Sequence, residues 1–212
     1  MAIQYASAPG DPQRIAPTGL QYMAKFAQDT GVAELTALRA DEAELSAPHT
    51  VHHVRLDDLA ARRPLGDSAV TGWRYLAVVG SRAVASSEVS AGADGRPAGL
   101  EQVNMGPFVQ STALALRDLV EVAEIQQNSY ELHMLKIPAL YAVVLWLSEI
   151  NGDRDLFVPL APAPDYLEAG RIYREEELLD AFEGPARRRL EFDDELLLEP
   201  YGESPPGPYG AE

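Results

Sequence analysis

Between Leu132 and Leu147 apolar side chains stand at odd and even positions alike, interrupted only by His133, Lys136 and Pro138. Such a run needs cover on every side, so whatever element it forms belongs in the middle of the fold. Its uncharged part, Ile137 to Leu147, is 11 residues long, well short of the roughly 20 needed for a membrane-spanning helix. Two readings compete. Ile137, Tyr141, Val143, Val144 and Trp146 favour a strand buried on both faces. Pro138 as a first-turn residue, with leucines and alanines after it, favours a buried helix. We take the strand, which obliges Pro138 to sit at a bulge, a bend or an edge because it donates no ladder hydrogen bond. Asn151-Gly152 followed by Leu156, Phe157 and Val158 adds a hairpin signal, which makes Tyr130 to Leu160 the centre of the chain.

The flanking segments divide the chain into five. Residues 1–16, rich in Gly, Pro and small residues, read as a flexible arm or an extended docking strand. Residues 17–66 read as a mixed segment: a helix from Pro17 to about Asp29 stopped by Gly31, then a helix-favouring Val32 to Ser46. A short strand, Thr50 to Leu56, and a turn of helix capped by Asp57 or Asp58 complete it. Residues 67–164 form the core. There, alternating segments on either side of Gly80-Ser81 predict a type II′ hairpin, Leu100 to Asn104 a third strand, and Pro107 to about Ala123 an amphipathic helix. Residues 165–199 form an acidic docking segment, with a short helix from Glu175 to Glu183 stopped by Gly184 and either a helix or a strand over Leu190 to Leu198. Residues 200–212, dense in Pro and Gly, read as a disordered tail. The expected fold is α+β: an antiparallel sheet of about four to five strands with one long helix on a face, extended by helical N-terminal and acidic C-terminal segments. The order hairpin, strand, helix, long strands resembles cystatin-like and other one-helix sheet folds, a likeness that implies no function.

Charge narrows the partners. The net charge is −16, a field that repels phosphate backbones and argues against nucleic acid. From Asp165 to Glu212 there are 14 acidic residues against 5 arginines, so −9 of that −16 lies in the last quarter. The chain has no cysteine, which excludes thiol catalysis, thiolate metal sites and disulfides, and fits a reducing compartment. The N-terminus shows no basic segment leading into an apolar one. We therefore expect a cytoplasmic protein without a membrane segment.

Chemistry-bearing motifs are scarce. Phosphate-loop, nucleophile-elbow, zinc-helix and EF-hand patterns are all missing. His49, His52 and His53 have ligand-like spacing, with Asp57 or Asp58 in reach of such a site. However, neighbouring strand residues point to opposite faces, and exposed histidines are the commoner case. His133, alone in apolar surroundings, is a candidate general base, although a lone buried histidine is more often a hydrogen-bonded structural residue. The acid pairs Asp57-Asp58, Asp153 with Asp155, and Asp193-Asp194 lie at caps or turns, where Asp is common for conformational reasons.

Three functions follow as expectations. The first is a non-catalytic interaction or assembly protein that binds a protein partner or itself through its apolar sheet and acidic C-terminal segment. Leu178, Leu179 and Phe182 would be its contact residues. The alternative is a small-ligand binder or enzyme with a pocket between helix and sheet, lined by Trp73, Tyr75, Tyr141 and Trp146, with His133 as its polar group. A metal site at His49, His52 and His53 is the third. No cofactor is implied.

Overall fold

A computed structural model of the chain describes residues 3–5, 20–21, 43–94 and 96–198. In chain order the elements are β1 (Ile3–Tyr5), β2 (Glu44–His53), α1 (Leu56–Ala60), β3 (Ala69–Val79), β4 (Arg82–Ala91), β5 (Pro97–Asn104), α2 (Pro107–Leu119), α3 (Ala123–Gln127), β6 (Tyr130–Ile137), β7 (Ala142–Glu149), β8 (Leu156–Pro159) and α4 (Glu175–Leu198). The strands form one sheet in the order β5-β4-β3-β2-β6-β7-β8, with β1 pairing beside β2 along β6.

This corrects the expected fold. The class is α+β, but the sheet has eight strands among the described residues and is mixed rather than purely antiparallel. Its antiparallel ladders are joined by a parallel seam, Thr50 to His53 of β2 against His133 to Lys136 of β6. Ile3 to Tyr5 pairs parallel with Tyr130 to Leu132 just beyond it. Pairing between segments this far apart leaves no local signature, which is why residue pattern alone undercounts the strands. Helices cover both faces, and the longest among the described residues is α4 rather than α2.

The two-sided apolar run does form the centre, as two strands instead of one. Pro138 opens a short 3-10 turn, Pro138 to Leu140, and Tyr141 follows in the left-handed region with φ 53°. The chain thus reverses, and β7 pairs antiparallel with β6 from Ile137↔Ala142 to Tyr130↔Glu149. On one face, Leu135, Ile137, Val144, Trp146 and Phe157 pack against Leu59 of α1 and Leu178, Leu179, Phe182 and Ala186 of α4. On the other, Leu132, Met134, Leu145 and Leu147 pack under Ala115, Leu116 and Leu119 of α2 and Ile125 of α3.

Gly184 does not stop the C-terminal helix. α4 runs through Gly184 and Pro185 to Leu198, and the buried stripe of Leu178, Phe182 and Ala186 continues straight across them. Burial of one face thus outweighs the propensity cost of Gly and Pro. Of the expected helix over Pro17 to Asp29, Leu20 and Gln21 are described and are helical, with Leu20 packed on Ala77 and Ala85; the rest lies outside the described residues. Of Val32 to Ser46, residues 32–42 also lie outside, while Glu44 to Ser46 is strand. Residues 199–212 lie outside as well. No helix among the described residues is long and apolar enough to cross a membrane.

The β3–β4 hairpin turns at Gly80-Ser81, as its sequence predicts. Gly80 takes φ 62° and Ser81 is not in the positive-φ region, the pattern of a type II′ turn. After two pairs the ladder slips: Val78 faces Ala83, but Ala77 faces Ala85. Val84 is the extra residue of a β-bulge. Without it Arg74 would face Ser87; with it, Arg74 faces Glu88.

Gly72 of β3 marks a close backbone approach. A Cβ placed there would lie 2.3 Å from the Val89 carbonyl oxygen, closer than backbone and side chain can approach without displacement. We expect Gly72→Ala to lower unfolding free energy by about 1–3 kcal/mol, the usual cost of overpacking. Urea denaturation measures this, and an unchanged midpoint would contradict the close contact.

Candidate functional site

Beside the N-terminal end of α2, the sheet face is not fully covered. It opens there into a cleft of about 520 Å³, bounded by α2, the edge of the sheet and the Pro138 turn. Its walls are apolar: Met105, Pro107, Phe108, Met134, Pro138, Val143 and Pro162 among them. Its polar groups are Arg74, Glu88, Gln102, Asn104 and Lys136.

These polar groups come from four strands. His49↔Arg74, Arg74↔Glu88 and Glu88↔Gln102 are each direct cross-strand partners, so a polar row runs across β2, β3, β4 and β5 on one face. Glu88, with its side chain only 3% exposed, is the hub. Arg74 Nε lies 3.5 Å from Glu88 Oε1, Gln102 Nε2 donates to Oε2 at 2.7 Å, and Asn104 Nδ2 donates to Oε1 at 3.4 Å. The Lys136 ammonium reaches over from β6 to donate to Oε2. Arg74 also donates from Nη1 to Thr112 Oγ1 at 2.9 Å, and the Thr112 hydroxyl donates to the Phe108 carbonyl at 2.6 Å. The cluster therefore ties the sheet to α2. Burial pushes the Arg74 guanidinium down to about 10 despite the attraction of Glu88, which leaves it cationic at neutral pH.

His49 adjoins this row, fully buried. Its Nδ1–H donates to the Ala47 carbonyl at 2.7 Å, so Nε2 carries the lone pair, and among the described residues it has no partner. Burial above all, with the nearby Arg74 charge, lowers its pKa to about 3.

On the opposite face the seam is bridged by a second polar chain. His52 Nδ1–H donates to the Ser68 carbonyl at 3.1 Å, which leaves Nε2 to accept from the Thr50 hydroxyl at 3.0 Å. Thr50 Oγ1 in turn accepts from His133 Nδ1–H at 2.6 Å. Each imidazole is thereby fixed in its neutral Nδ1–H form. The two rings meet edge to face, and His133 lies against Trp146 at 4.6 Å between centroids. Trp146 Nε1–H donates to Asp155 Oδ2 at 2.7 Å. Burial lowers the pKa of His52 and of His133 to about 4.

The residues singled out from the sequence are thus scattered. Tyr141 is on the rim of the cleft, 86% exposed. Trp73, Tyr75 and Trp146 are on the other face of the sheet, because strand alternation that turns Arg74 to the cleft turns its neighbours away. His133 is on that other face too, its Nδ1 engaged by Thr50. His49 and His52 occupy opposite faces and His53 is exposed; no group of three or more His, Cys, Asp or Glu among the described residues could hold a metal ion. Leu178, Leu179 and Phe182 are buried on the face of α4 that packs against the sheet. Sequence reasoning missed Arg74, Glu88 and Lys136. Their available signal was charge at core parity inside otherwise apolar strands.

The lowered imidazole pKa values make stability depend on pH. Each histidine stays neutral when folded and takes up a proton on unfolding anywhere between its folded pKa, about 3 or 4, and the ordinary value of 6.5. The unfolded state then binds more protons, so unfolding free energy falls as pH drops through that window, by up to about 1.4 kcal/mol per pH unit for each histidine. Denaturation at pH 7.5, 6 and 5 should show this slope, and His133→Gln should make it shallower. Equal slopes would mean that His133 titrates alike in both states. Compared with family models, curated proteins and solved structures, the chain matches none.

Proposed function

We propose that the chain is a small-ligand-binding protein, which takes an amphipathic molecule into the cleft between α2 and the sheet. The observation that carries this is the combination of an open cleft of about 520 Å³ with apolar walls and an Arg74–Glu88–Lys136 cluster facing it, in which Arg74 and Glu88 are buried. That volume is in the range of small-molecule sites, which join apolar walls to a few fixed polar groups. The fixed groups here are held from several directions: Glu88 by four side chains, Arg74 by Thr112 of α2. Preorganisation of this kind lowers the cost of binding. The described lining contains no Ser, Thr, Cys or His, which favours binding over group transfer. A protein-partner role would need a surface other than Leu178, Leu179 and Phe182, since all three are covered.

The test is titration with a neutral solvatochromic dye such as Nile red. We expect saturable binding at one site, and a loss of at least about tenfold in affinity for Val143→Trp, which places a large ring in the cleft. Equal dye binding by a folded Val143→Trp protein would place the site elsewhere and overturn the proposal.

A further inference from the structure

The charges facing the cleft do not balance. Among its described lining residues there are two cations, Arg74 and Lys136, and one carboxylate, Glu88. Asn104 and Gln102 are neutral amides that donate to that same carboxylate, and Tyr141 on the rim adds only an uncharged hydroxyl. Both Glu88 oxygens are therefore saturated by donors, while the cations retain N–H groups that Glu88 cannot accept. Arg74 is 2% exposed and already paired with Glu88, so this one carboxylate is shared between two cations and one positive charge stays in excess where bulk water does little to offset it. Lys136 keeps 16% of its side chain exposed, which leaves its ammonium reachable from the cleft.

From this charge count, and resting on the cleft being a ligand site, we infer that the ligand is an organic anion whose single negative group meets Lys136 and Arg74. Its apolar body lies along Phe108, Pro138 and Val143. A carboxylate or similar group brings the local charge to zero and accepts the N–H groups that Glu88 leaves over. Charge-assisted hydrogen bonds of this type are stronger than neutral ones. An alcohol of the same shape would supply neither the charge nor two acceptor oxygens. An organic cation would meet two like charges.

Three probes with one tail and different heads separate these cases: decanoate, decanol and decyltrimethylammonium, each titrated calorimetrically below its aggregation limit. We expect decanoate to bind roughly tenfold or more tightly than decanol, and the cation to bind weakest. Added salt should weaken decanoate more than decanol. Lys136→Met should abolish the preference for decanoate, and Glu88→Gln, which leaves both cations unopposed, should widen it. Circular dichroism shows whether each variant is folded; where one is not, the three probes on the wild-type protein decide alone. Equal binding of decanoate and decanol, or tighter binding of the cation, overturns the anion assignment while the cleft remains a ligand site. Failure of all three probes together with failure of Nile red to saturate overturns the cleft reading itself.

Discussion

The parallel contact between β2 and β6 is the constraint from which the architecture follows. Strands β5, β4, β3 and β2 form one antiparallel half of the sheet and β6, β7 and β8 the other, and among the described residues only this seam makes them continuous. Four residue pairs hold it. Side chains stitch it on both faces: Thr50 to His133 on one, and Lys136 to Glu88 on the other. The second stitch is also the hub of the cleft. Groups that join the two halves of the sheet therefore also line the cleft, and this couples the geometry of the candidate site to the integrity of the fold.

Where local chemistry decides, the sequence is a reliable guide. Gly80-Ser81 makes a tight hairpin because glycine tolerates positive φ and the flanking strands alternate. Pro107 opens a helix because its missing N–H has no partner to lose in a first turn. The acidic segment shows where local rules give way. Gly184 and Pro185 are strong stop signals, yet α4 passes through them because Phe182 and Ala186 continue one buried stripe. Two turns of packing outweigh two poor helix formers.

The candidate site was harder to read for a more specific reason. In a regular two-residue hairpin at Gly80-Ser81, Arg74 would stand opposite Ser87, and Glu88 would point to the other face. One bulged residue, Val84, moves Glu88 across the sheet and opposite Arg74. A bulge of this kind has no dependable signature in residue type, so the ion pair at the heart of the cleft depends on something that periodicity does not encode. The same parity error misled the choice of aromatics: Trp73 and Tyr75 flank Arg74 in sequence and are for that reason turned away from it in space. Lys136 was visible as a charge inside an apolar run, but its partner is 48 residues distant.

The seam also governs the order in which the molecule can be assembled. Thr50 and His133, which meet across it, are separated by 83 residues. Contacts of such long sequence separation slow folding, because the entropy of closing the loop is lost before the contact is gained. During synthesis β3 can pair with β2, β4 with β3 and β5 with β4 as each emerges, since these antiparallel neighbours are close in sequence. The far side of β2 has no partner in this sheet until β6 has followed it out. For that interval the half-sheet presents an open edge, with unpaired backbone donors and acceptors, to any other chain nearby. The nascent protein is thus most exposed to misassembly just before Met134 and Lys136 of β6, which line the cleft, appear.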